Sequence, residues 1–303
     1  MSRLLIALSL VFGLIVAGYL LRLVGIPGDR FWRFAENATY YLFLPALLLV
    51  SLATADVAIS DALPMFSVLV GAILAVAVLS HLLRPLLRVD APGFGSVFQG
   101  AVRSNTYLGI AAAFAAYGDR GLPLAAIAIA ALIPLGNVLS VIIVARCNPA
   151  HASGASVTAA IAKNPIILAC VAGLAPNGID VNLPGAIRTT LEILGKIALP
   201  LGLLVVGAGL RIRAALVSRT LTLASSGLKL AAMPAAAFAL CLMLSVIGPQ
   251  AAVAVMFAAL PSAGSSYVLA SQMGGDATLM ASILTVQILL SFVALPLLLL
   301  LMV

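Results

Sequence analysis

Ten runs of roughly twenty apolar residues follow one another along this chain, and a run of that length is what an α-helix needs to cross a bilayer. They lie at about 4–23, 38–55, 63–84, 97–117, 122–145, 160–176, 190–209, 222–247, 250–272 and 279–302. The short intervals between them gather Pro, Gly and charge, as in "GIPGDR", "ADVAISDA", "RVDAPG", "YGDRG" and "RCNPAHASGAS". Only 8% of the residues are charged and 64% are hydrophobic. A soluble domain carries about 25% charged residues, so this chain cannot clothe a water-facing surface of its own size. The expected fold class is an all-α integral membrane protein with ten transmembrane helices.

The net charge of +7 is spread over span ends rather than gathered into a patch, which argues membrane topology and against a nucleic-acid partner. Cys147, Cys170 and Cys241 lack paired spacing, and His81 and His151 have no partner spacing. No metal, cofactor or catalytic group is therefore expected. The run after Arg3 is too long for a signal-peptide core and has no small-residue cleavage site, so it is read as the first span.

The two halves resemble each other. Pro45 in "YYLFLPALLLVSLA" falls on Pro200 in "GKIALPLGLLVVGA" at an offset of 155, as does "VAG" at 16–18 on "VAG" at 171–173. "IP" at 26–27 falls on "LP" at 183–184, and "YGD" at 117–119 on "GGD" at 274–276, both at 157. The expected organisation is one five-helix repeat over 1–147, a Gly/Ser/Ala-rich linker over 148–158, and a second repeat over 159–303. Five spans are an odd number, so the second repeat enters the membrane inverted. Inverted repeats characterise secondary transporters, whose sites lie at the repeat interface near the midplane.

Positive charges set the orientation. Ten Lys and Arg residues (Arg22, Arg30, Arg33, Arg84, Arg88, Arg146, Lys163, Arg211, Arg213 and Arg219) fall on the face opposite the N-terminus. Arg3, Arg120, Arg188 and Lys196 fall on the N-terminal face. Both termini are thus expected on the non-cytoplasmic side of a cell inner membrane.

Polar side chains inside spans are costly and usually functional. Span 4 gathers Arg103, Ser104, Asn105 and Thr106; span 9 gathers Pro261, Ser262, Gly264, Ser265 and Ser266 at the equivalent depth. Small, polar, helix-weakening residues at matching places are the pattern of two discontinuous helices meeting at a site. Freed backbone groups can line a cavity there, and half-helix N-termini favour an anion. Asn137 in span 5 and Gln287 in span 10 could face the site or join helices. Arg103 and Lys229 lie near span ends, where long cationic side chains reach back to the interface; for Lys229 that is the expectation. The nine acidic residues, Asp29, Glu36, Asp56, Asp61, Asp90, Asp119, Asp180, Glu192 and Asp276, all sit at span ends or in loops. An embedded acidic proton relay is not visible.

"ENATYYLFLPALLLVSLA", "SNTYLGI" followed by "YGD", and "LPSAGSSYVLASQMGGDA" followed by a last span with "LP" resemble the auxin efflux carrier family. That family includes plant auxin exporters and bacterial malate or malonate permeases, and its plan is akin to that of bile-acid sodium symporters. The resemblance implies a scaffold from helices 1, 2, 6 and 7 and a transport core from helices 3–5 and 8–10, with helices 4 and 9 broken and crossing. It implies that Asn105 helps hold a substrate carboxylate and that Leu260, Pro261 and Ser262 form the second crossing. Where the plant carriers have a crossing proline, this chain has Ala111 and Ser266. The breaks are then expected to rest on Gly109, Gly264 and the serines, with Pro45 and Pro200 as symmetric kinks.

The expected function is secondary active transport of a small organic anion, a mono- or dicarboxylate such as malonate or malate, by elevator-type alternating access. The anion-binding set is Arg103, Ser104, Asn105, Thr106, Asn137, Pro261, Ser262, Gly264, Ser265 and Ser266. The coupling ion is open between proton and sodium, and the polar-poor spans 2 and 7 allow a homodimer. One alternative is a sodium-coupled organic-anion symporter, although sodium sites usually include a carboxylate. A remoter one is an intramembrane transferase, which needs an acidic metal cluster or a His/Asp pair within the membrane.

Overall fold

Described residues in the computed structural model are 2–54, 59–147, 165–174, 184–212 and 218–302; the linker 148–158 and both ends of the sixth expected span lie outside them. All regular structure among them is helical. In chain order the helices are α1 (Ser2–Leu23), α2 (Asp29–Ala38), α3 (Leu44–Ala53), α4 (Ile59–Leu87), α5 (Ala91–Val102), α6 (Thr106–Tyr117) and α7 (Gly121–Cys147). Then follow α8 (Pro165–Leu174), α9 (Gly185–Ala208), α10 (Arg219–Gly227), α11 (Met233–Met243), α12 (Gly248–Ala258), α13 (Ser265–Gln272) and α14 (Ala277–Met302). Among the described residues six largely helical stretches are long and apolar enough to cross a membrane: 29–53, 62–87, 91–147 (which takes in α5 to α7), 185–208, 219–243 and 277–299.

Helix starts follow ordinary capping rules. The Asp90 carboxylate accepts the Gly93 backbone N–H at 3.0 Å, and Pro92 occupies the first turn of α5, where its missing N–H is no loss. Asp90→Ala should lower the unfolding free energy by about 1 kcal/mol; a melting temperature unmoved by the change would show that this cap carries no weight. Between α2 and α3, and again between α10 and α11, the helix widens into one π-turn, Thr39–Phe43 and Leu228–Ala232. Each lies just ahead of a proline, Pro45 or Pro234, whose ring cannot accept a regular preceding turn.

The chain divides into two compact units that interleave its sequence halves. One comprises 1–63, 107–130 and 158–209; the other comprises 64–106, 131–157 and 210–303. Expected spans 1, 2, 6 and 7 fall in the first, as does the segment 107–130 from spans 4 and 5.

In the first unit α1 packs along α9, and α3 packs on both α8 and α9. Glycine makes these approaches close: a Cβ on Gly173 would meet the Leu49 carbonyl, and one on Gly195 would meet the Leu47 backbone. Small residues let membrane helices approach backbone to backbone, which substitutes for a hydrophobic driving force that lipid does not supply.

In the second unit α5 is the central element, with all ten residues from Gly93 to Val102 buried. Gly100 abuts Ser225 of α10 and Ile283 of α14, and Gly95 abuts Val144 of α7. The Ser225 hydroxyl donates to the Val97 carbonyl at 3.0 Å, and Thr222 and Ser282 hydroxyls lie 2.9 Å apart.

Candidate functional site

Both expected breaks occur. Span 4 stops at Val102 and resumes at Thr106; span 9 stops at Ala258 and resumes at Ser265. At the first, Arg103 turns extended, with φ −82° and ψ 152°, while its N–H still donates to the Gln99 carbonyl at 3.0 Å. The two broken segments lie against each other: the Asn105 backbone N–H donates to the Pro261 carbonyl at 2.8 Å.

An interrupted helix in a membrane must find partners for its freed backbone groups, and here one side chain serves both breaks. The Gln287 amide of α14 accepts the Ser262 backbone N–H at 2.8 Å through Oε1 and donates to the Gly100 carbonyl at 3.0 Å through Nε2. The Ser262 hydroxyl reaches the Gln99 carbonyl at 3.4 Å and stands 3.1 Å from the Ser266 hydroxyl. Gln287 is fully buried, so of the two roles open to it from sequence, joining helices is the one seen.

The break residues are enclosed to different degrees. Ser104, Asn105, Thr106, Pro261, Ser262 and Ser266 are buried, Arg103 is half-buried, and Gly264 and Ser265 are exposed. The Arg103 guanidinium spans the gap and donates from Nη2 to the Ser265 hydroxyl at 2.8 Å. Asn137 is half-buried on α7, next to Gly136, whose site for a Cβ lies 3.4 Å from the Val102 carbonyl and 3.9 Å from the Arg103 Cα. That turn of α7 therefore runs beside the first break. The N-terminus of α13 opens at the second break, where the Ser266 and Tyr267 N–H groups donate to the Ala263 and Gly264 carbonyls at 2.9 and 3.0 Å.

Neither glycine expected to make the breaks does so. Gly109 lies inside α6, past the break, and belongs with Pro45 and Pro200 to the other unit. Gly264 has helical dihedrals, φ −56° and ψ −34°, with open space where a Cβ would stand. The physical basis of the breaks is instead long-range: their polar groups are taken by Gln287, Ser262 and each other.

Lys229 also departs from expectation. It does not reach an interface but is fully buried in the π-turn Leu228–Ala232, and its ammonium donates to the Ser104 hydroxyl at 2.8 Å and to the Met233 sulfur at 3.0 Å. The expected span began at 222, which put Lys229 within two turns of its end; the helix begins at Arg219, ten residues ahead. No three His, Cys, Asp or Glu side chains come together among the described residues.

A comparison with curated proteins gives no match. The family described as "membrane transport protein" matches residues 149–299, about half of the chain, including the second break and Gln287. The chain belongs to this family, that of the auxin efflux carriers.

Proposed function

We propose that this chain is a secondary active transporter of a small organic anion, a mono- or dicarboxylate such as malonate or malate, working in a cell inner membrane by elevator-type alternating access. The carrying observation is the pair of helix breaks bonded to one another inside one compact unit, where Asn105 and Pro261 meet. Paired breaks lined by Ser, Thr and Asn offer directional hydrogen bonds to a carboxylate. The interleaving of the two units supports ten spans arranged as two inverted repeats, with 1–63 and 158–209 in a scaffold and the break-bearing unit as the moving core. Asn105, Thr106 and the 262–266 segment hold the anion, with Arg103 bridging to Ser265 at the edge.

The test is a thermal-shift screen of the purified protein against malonate, malate, other short carboxylates and indole acetate, followed by uptake in proteoliposomes. Asn105→Ala should abolish binding of whichever carboxylate stabilises the wild type, while the variant elutes and melts as a folded protein. Unchanged affinity in that variant would remove the breaks from the binding site.

A further inference from the structure

Lys229 sets an electrostatic problem that the chain does not solve with its own residues. A buried ammonium costs several kcal/mol unless a counter-charge and full hydrogen bonding compensate it. Lys229 is 0% exposed, yet its two acceptors, Ser104 Oγ and Met233 Sδ, are both neutral. It takes part in neither ion pair found among the described residues, Arg22–Asp29 and Arg188–Glu192.

A second observation points the same way. Gln99, one turn ahead of the first break, is fully buried, and neither its amide nitrogen nor its amide oxygen has a hydrogen-bond partner among the described residues. The Ser140 hydroxyl on α7 is likewise buried and unpartnered. The contacts of Gly95 with Val144 and of Gly136 with Val102 bring Ser140 level with Gln99. Orphaned buried polar groups are rare in native structures and mark a missing partner. A cation without a counter-ion and an amide without acceptor or donor, both within a turn of the same break, fit one kind of missing partner: a small anion with hydrogen-bonding oxygens.

We propose that Lys229 is the built-in counter-charge of the transported anion: its ammonium, held on Ser104, neutralises the ligand's carboxylate through that hydroxyl. Ser104 accepts from Lys229 and so turns its own O–H outward as a polarised donor. The occupied core then carries a compensated charge pair through the membrane interior, where a bare charge is strongly disfavoured. The ligand class this selects is a short carboxylate, with its neutral amide excluded. The inference rests on the anion-carrier reading above.

The experiment measures binding of formate, acetate and malonate, with acetamide and malonamide as neutral isosteres, to the purified full chain by calorimetry and thermal shift. At least one carboxylate should bind the wild type and neither amide should. Lys229→Met should weaken that binding by about tenfold or more, as loss of a charge-assisted hydrogen bond does, without lowering the melting temperature of the ligand-free protein. Ser104→Ala, which leaves Lys229 in place, should weaken it several-fold and serves alone if the Lys229 variant does not fold. Carboxylate binding that survives unchanged in folded Lys229→Met, or in Ser104→Ala, overturns the counter-charge and leaves the anion carrier standing. Failure of every carboxylate on the wild type overturns both.

Discussion

Gln287→Leu should destabilise the protein more than any other single polar-to-apolar change on α14. The substitution keeps the side chain's bulk but removes the acceptor of the Ser262 N–H and the donor to the Gly100 carbonyl together. Both backbone groups belong to interrupted helices, so no turn of their own helix can take them back, and water is excluded from a fully buried site. Each buried polar group left without a partner costs about 1–3 kcal/mol, and the two act on the same pair of breaks. Ser291→Ala is the comparison: that hydroxyl is also buried on α14, but it donates to Ile288 of its own helix at 2.6 Å. Its loss leaves the helix backbone intact and should cost no more than about 1 kcal/mol. Guanidinium or thermal unfolding of the two variants side by side decides the matter. Equal melting temperatures for Gln287→Leu and Ser291→Ala would mean that the breaks do not depend on the amide.

This dependence explains which parts of the molecule were legible in the sequence. Apolar runs mark helices because lipid leaves backbone groups no partner but the helix itself. Helices at 59–87, 121–147, 185–208 and 277–302 accordingly overlie expected spans with small shifts at their ends. The breaks were legible as clusters of Ser, Thr, Asn and Pro, since such residues inside a span weaken the helix locally. What closes them was not. Gln287 lies 25 residues from Ser262 and 187 from Gly100, and a lone glutamine in an apolar helix carries no mark of whom it bonds. Glycine is the usual helix breaker, yet at 109 and 264 the backbone needs none of its freedom. Lys229 departs from expectation for a similar reason: its helix begins at Arg219, ahead of the boundary that the apolar run suggests. Neither π-turn was foreseen, although a proline just beyond each, Pro45 and Pro234, is a readable signal.

Gly207→Val should disrupt the first unit more than any surface or loop substitution. A Cβ at Gly207 would overlap the Ile15 carbonyl, and one at Gly18 would overlap the Leu204 carbonyl, so α1 and α9 approach backbone to backbone at two points. A flexible side chain can swing away from an added methyl group, but a carbonyl inside a helix cannot without breaking its own hydrogen bond. The helices must therefore separate along their length, and every dispersion contact of the seam weakens at once. Overpacking against such a rigid wall costs about 3 kcal/mol or more. The same two helices supply the controls. Gly13 of α1 and Gly185 of α9 have open space where a Cβ would stand, and alanine there should be neutral or stabilising by a few tenths of a kcal/mol, up to about 1, through higher helix propensity. Size-exclusion profiles and melting temperatures of Gly207→Val, Gly18→Val, Gly13→Ala and Gly185→Ala should then split into two unfolded or strongly destabilised variants and two wild-type-like ones. If Gly207→Val melts with the wild type, α1 and α9 do not meet at carbonyl distance, and the seam is held by side chains instead.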